Sequence, residues 1–219
     1  MTQNVFSLAQ PELLSVLDKG RNVRSFGGNQ DWFPNKWQRD SGCGPTAAAT
    51  ILSYIGRGPN CTIIFPQLVY GSNPIDQGDM AEFMNTLWNY VTPGTIGVHR
   101  TSIFTAGVPR FMENLGYNAE FRELFFPRDI DARCTVEQAV NFIRSAREND
   151  VPIACLNYSN GALDNMCSWH WVSITALELD GDDVFVTISD EGAKKKINFG
   201  LWMKTSLFGG ALVYFIPKI

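Results

Sequence analysis

The chain has 219 residues, 45% of them hydrophobic, which is long enough to bury a substantial core as one large domain or two tightly packed lobes. With 18 Lys and Arg against 22 Asp and Glu the net charge is −4, and the densest basic run is Lys194-Lys195-Lys196, which argues against nucleic acid as a partner. No apolar run reaches the length of a transmembrane segment, and the start, Met1 to Pro11, lacks the basic and apolar regions of a signal peptide, so the expectation is a cytoplasmic chain.

Residues 1–40 read as mixed and loop-like, with Gly27-Gly28, Pro34 and the aromatics Trp32, Phe33 and Trp37. A polar, Gly-rich turn from Gln38 to Gly44 then runs into an apolar helix. Pro45 opens that helix where its missing N–H costs nothing, and Gly56 is a natural stop. Ala48, Ile51, Leu52 and Ile55 give the stripe of a packed helix, and the remaining faces are apolar enough to place it in the middle of a core. A second helix is expected over 77–90, with Met80, Phe83, Met84, Leu87 and Trp88 on one side and Pro93-Gly94 closing it. A short helix near 107–115 carries Phe111, Met112 and Leu115. A third long one covers 136–148, with Thr135 and Gln138 as a capping box and Val136, Ala139, Val140 and Ile143 as its buried stripe.

After Pro152 the texture changes to strands: 153–158, 169–179 and 183–189 around Asp180-Gly181-Asp182-Asp183, then 194–199 and 211–216. Helices first and an antiparallel sheet second argue an α+β protein. It is expected to be a single domain over 1–219, with a mainly helical lobe over 1–150 and a sheet lobe over 151–219.

Five cysteines (43, 61, 134, 155 and 167) form an odd, scattered set without a CxxC, and with two histidines they argue against a zinc cluster. They read as reduced thiols, with Cys155, inside an apolar strand, the plainest core thiol. Asn60-Cys61-Thr62 and Asn157-Tyr158-Ser159 match the glycosylation pattern but carry no weight without a secretion signal.

Cys43 stands apart. At a helix start, orphan backbone N–H groups and the helix dipole favour a thiolate, and the same groups can receive an oxyanion. Gly42 and Gly44 let the backbone turn sharply and leave the sulfur uncovered. His170 opens a strand pattern, and alternation groups it with Val172, Ile174 and Ala176; His99 has no comparable strand partner and reads as a loop or surface residue. If the hairpin turns tightly around 180–182, His170 lies opposite 191–193 and Asp190 falls within one or two ladder positions. A three-residue loop centred on Gly181 would place Asp190 diagonally on His170's face. A carboxylate there would orient the imidazole and select its tautomer, whereas Asp182 and Asp183 belong to the other end of the hairpin. Gln38, five residues before Cys43, can offer an uncharged amide donor to the same oxyanion. Each residue also has a plain structural reading: a buried core thiol, a satisfied core histidine, the first residue of the Asp190-Glu191-Gly192 turn, a loop glutamine.

Together these residues resemble the papain-like cysteine peptidases, and more nearly the compact bacterial branch that includes the bacteriocin leader-processing peptidases. The most specific piece is Cys43-Gly44-Pro45-Thr46-Ala47-Ala48; the rest is order and spacing from about 38 to 216, with little to match in 57–150. The resemblance implies a papain-like fold, with the nucleophile helix of the N-terminal lobe packed on a C-terminal antiparallel sheet. It implies Cys43 as nucleophile, His170 as general base, Asp190 as orienting residue and Gln38 in the oxyanion hole. The spacing from Gln38 to Cys43 is one residue shorter than usual, and Gly42 stands where the closer relatives often carry Asp. Hydrolysis of a peptide or small amide substrate without a cofactor is then expected, and the leader-processing enzymes suggest cleavage after small residues such as Gly-Gly. Acyl transfer through the same thioester, and a non-catalytic peptide-binding module, are the alternatives. The aromatics around 32–37 and 169–171 either line a cleft for extended or apolar substrates or cap the core.

Overall fold

The computed structural model describes residues 4–18, 20, 22–58, 65, 68 and 74–218. Met1 to Gln3, Cys61 and the Asn60-Cys61-Thr62 pattern lie outside these residues. Among them, a seven-stranded sheet carries the order β5 (Asn118–Phe126), β10 (Gly210–Lys218), β6 (Ile153–Asn157), β7 (His170–Asp180), β8 (Asp183–Asp190) and β9 (Ala193–Asn198). The seventh strand, β1 (Asn4–Ser7), pairs with the far half of β7, on the edge where β6 pairs with the near half. Every pairing in this sheet is antiparallel. A smaller sheet joins β3 (Val23–Phe26), β2 (Ser15–Leu17) and β4 (Ile75–Asp76), the last two in parallel.

The helices are α1 (Lys36–Ser41), α2 (Cys43–Ile55), α3 (Gln77–Trp88), α4 (Thr101–Asn114), α5 (Val136–Glu148) and α6 (Phe199–Thr205). Every residue of α2 from Gly44 to Ile55 is buried, which accounts for a helix without a polar face: it lies between α3 and β7 and presents no side to solvent. α3 buries the five side chains its periodicity marks. The expected capping box of α5 is present, with Gln138 N–H donating to Thr135 Oγ1 at 3.1 Å and Thr135 N–H to Gln138 Oε1 at 2.8 Å. Phe104 of α4 stacks on Trp171 of β7, centroids 4.7 Å apart, and the Trp171 indole N–H donates to Val98 O at 2.6 Å. These two contacts tie the segment before α4 to the sheet.

Several expectations are corrected. Residues 4–41 hold three strands, two 3-10 turns and α1 in place of a loop. The stretch from Lys36 to Ser41 is helical because the Asn35 side chain caps it, accepting from Gln38 N–H at 2.9 Å. Gly42 alone separates α1 from α2, so Cys43 is the first residue of α2 and Pro45 lies in its first turn without opening it. α4 begins at Thr101 and runs through Pro109, giving up one internal hydrogen bond where the short reading put its start. β5 went unread because its inward alternation is weak: most of its residues stay partly or fully exposed. Since β1 and β5 enter the same sheet as 153–218, the boundary expected at residue 150 is crossed by the sheet itself.

The β7–β8 hairpin turns through Gly181-Asp182, with Asp180 opposite Asp183 and Gly181 at φ +59. Between Ile174 and Ala176 the register shifts by one: Ala176 faces Thr187 whereas Ile174 faces Ile188. The extra residue is Thr175, whose carbonyl accepts from Leu8 N–H at 3.3 Å and from buried Arg147 Nη1 at 3.1 Å. This bulge takes Ala176 off the face of His170, Val172 and Ile174, correcting the simple alternation.

Candidate active site

The bulge also decides where Asp190 stands. Counted from the turn without it, Asp190 would be level with Ser173, on the opposite face from His170. With it, Ser173 faces Ser189, and continuing that register sets Asp190 level with Val172, diagonal to His170. The contact follows: His170 Nε2 and Asp190 Oδ1 are 2.7 Å apart, with His170 7% exposed and Asp190 2% exposed. With Nε2 engaged, Nδ1 is the ring nitrogen left for another partner, and Cys43 lines the same small cavity as His170. Burial alone would depress the imidazole, but hydrogen bonds to Asp190 and Cys43, and the charges of both, outweigh it and push His170 up to about 10. Burial likewise opposes the Asp190 carboxylate, yet hydrogen bonds from His170 and Lys195 hold it below the usual carboxylate range.

Asp190 is fixed by the turn after it. Glu191 and Gly192 both have positive φ (+49 and +77), the pattern of a two-residue hairpin returning to Ala193. β3 presses on that turn: Phe26 N–H donates to Gly192 O at 2.7 Å, and a Cβ at Gly192 would lie 2.3 Å from Ser25 Oγ.

Cys43 heads α2, where its own N–H and that of Gly44 lead the helix and Thr46 N–H closes the first turn on Gly42 O at 3.0 Å. A Cβ at Gly42 would sit 2.5 Å from both Gln38 O and the Phe33 ring, and one at Gly44 would sit 2.6 Å from Val98 Cγ2. Both glycines therefore permit close approach, and Gly44 lets the Val98 segment lie against the head of the helix.

Cys43 lines two depressions. It shares with His170 a small polar cavity walled by Gly28, Gln30, Thr46 and Ser173. On its other side opens a cleft of about 410 Å³ lined by Trp37, Ile96, His99, Tyr158 and Trp169. Trp37, Ile96 and Trp169 are 50%, 69% and 62% exposed, and Trp169, directly before His170, is held at φ +56, a costly conformation for a bulky residue. Ile96 projects from a tight turn closed by hydrogen bonds between Gly94 and Gly97 in both directions, 3.1 and 3.0 Å.

Gln38 is not brought into either depression among the described residues. It is buried on α1, where its amide donates to Asn85 Oδ1 at 3.2 Å and accepts from Asn35 Nδ2 at 2.6 Å. His99 lies in a loop, as expected, and lines the cleft. Lys195 was missed: its Nζ is 2.6 Å from Asp190 Oδ2. Burial pushes Cys155 up to about 12 and raises Cys134, and Cys167 is exposed. Among the described residues no group of three His, Cys, Asp or Glu is placed to hold a metal ion, and no helix is long and apolar enough to cross a membrane. No protein-family model matches this chain, and no curated protein matches it.

Proposed function

We propose that this protein is a thiol hydrolase of a peptide or related amide bond, with Cys43 as nucleophile, His170 as general base and acid, and Asp190 as the group that orients the imidazole. The observation that carries the reading is the buried 2.7 Å contact between His170 and Asp190, with Cys43 lining the same small cavity as His170. With the thiol proton already held by His170, the Cys43 sulfur attacks the carbonyl carbon, and the carbonyl electron pair moves to oxygen. The N–H groups of Cys43 and Gly44 at the head of α2 receive that oxyanion. The tetrahedral species collapses and the amine leaves with the proton held by His170. Water, losing a proton to His170, then attacks the thioester; the carboxylic acid departs and the thiolate–imidazolium pair is restored. The large cleft beside Cys43, walled by Trp37, Ile96, Tyr158 and Trp169, favours an extended substrate carrying apolar side chains.

The test is the pH dependence of iodoacetamide alkylation, with the modified residue located by mass spectrometry and the series repeated on His170→Ala. Selective labelling of Cys43 near pH 5–6 that disappears in the variant is expected of a thiolate–imidazolium pair. Labelling that begins only near pH 8–9 and ignores His170 would leave a binding module without chemistry.

A further inference from the structure

The Asp190 carboxylate has two oxygens and two basic partners. Oδ1 meets His170 Nε2 at 2.7 Å and Oδ2 meets Lys195 Nζ at 2.6 Å, around a residue only 2% exposed. Lys195 arrives from β9. There Ala193 is level with Asp190 and Lys195 with Ile188, so the ammonium reaches the carboxylate diagonally across one face of the sheet. Its neighbours in the basic run are spent elsewhere: Lys196 pairs with Glu178 at 2.7 Å, and Lys194 lies over the Phe26 ring at 5.2 Å.

We propose that Lys195 is a positioning residue of the site: by sharing the Asp190 carboxylate it limits how tightly His170 holds its proton. The inference rests on the thiol hydrolase reading. A buried carboxylate given wholly to one imidazole would stabilise the imidazolium so strongly that the proton would be slow to pass to a leaving amine. A cation on the second oxygen draws off part of that charge and also repels the imidazolium across the same carboxylate. The other charged or titratable groups bearing on this set are Cys43 from α2, which lines one cavity with His170, and Glu191 from the turn and Cys167 from the segment before β7, which both act on Lys195. A carboxylate serving both partners is therefore a setting as well as a support.

The experiment follows the alkylation rate of Cys43 against pH in the full chain, for the wild type, Lys195→Met, Lys195→Gln and Lys195→Arg. In the wild type a plateau should end in an alkaline limb where His170 gives up its proton. Lys195→Met and Lys195→Gln should move that limb upward by about half to one pH unit, and Lys195→Arg should leave it in place. In an Asp190→Asn background, adding Lys195→Met should move the limb less than it does in the wild type, because only the direct repulsion between the two cations remains. A limb that stays put or moves down in both uncharged variants would overturn the role of Lys195 while leaving the hydrolase reading intact. A wild type with no plateau would overturn that reading and this one with it.

Discussion

Asp190→Asn removes one charge from a side chain with 2% exposure and leaves two basic groups, at 2.7 and 2.6 Å, facing a neutral amide. Removing one partner of a buried ion pair costs about 3–5 kcal/mol, and the partial exposure of Lys195 places this site near the lower end, about 3 kcal/mol. A chain of 219 residues unfolds with an entropy of roughly 0.5 kcal/mol per kelvin, so Tm should fall by about 6 °C. The loss depends on pH in a defined direction. His170 has its proton affinity raised to about 10 in the folded chain. Its contribution is complete below the ordinary imidazole value of about 6.5 and fades as pH rises through the folded one. Asp190 is shifted down, so its contribution is present above about pH 4 and is lost as pH falls through the folded value. The gap between wild type and variant should therefore be widest between about pH 4 and 6.5 and should narrow toward pH 10. Thermal unfolding followed by circular dichroism across this range reads it directly. A variant melting within about 2 °C of the wild type near pH 5.5, or a gap that does not change with pH, would refute the argument.

Gly44→Ala places a methyl group 2.6 Å from Val98 Cγ2 and 2.8 Å from its Cβ, so the segment at the mouth of the cleft must shift. The expected cost is about 1–3 kcal/mol, seen as a lower midpoint in urea. Cys155, 2% exposed with its thiol pushed up to about 12, should remain unlabelled by iodoacetamide in the native chain while Cys43 and Cys167 react. It should be modified only after unfolding in guanidinium, as peptide mass mapping would report. Trp202→Phe removes the indole donor to Asn157 Oδ1 at 2.8 Å and Ser159 O at 3.0 Å. Each acceptor keeps one other donor, Ser159 N–H and Ser206 Oγ respectively, so the loss should be about 1 kcal/mol in a thermal melt.

The parts of this molecule that were legible in its sequence are those whose information is local. α3 and α5 carry a helical stripe of apolar residues, and the Thr135–Gln138 box marks where α5 begins. The Cys43 environment is similarly local, since its glycines and its helix are adjacent in the chain. What was hidden depends on partners far away. β5 has an indistinct alternation and becomes a strand by lying against β10 from Gly210 to Lys218. β1, four residues long, exists through its pairing with β7. The relation of His170 to Asp190 was legible as a proximity, but its register required the Thr175 bulge, which is held by Leu8 and Arg147 and leaves no mark in the strand's composition. Lys195 stood in the sequence only as one of three consecutive lysines, because its partner is set by the turn at Glu191-Gly192.

The position of β10 has a consequence for the order in which the chain is made. It is the latest strand of the large sheet to be synthesised, yet it lies inside the sheet, between β5 and β6. Until it emerges, β5 has no place in the sheet and β6 is left as an open edge. Ribosomal synthesis proceeds at about 5–20 residues per second. Cys43 therefore precedes His170 and Asp190 by roughly ten seconds, and β10 follows later still. Nearly the whole chain must therefore be made before the large sheet can close, although the residues of α2, β7 and β8 are all made earlier.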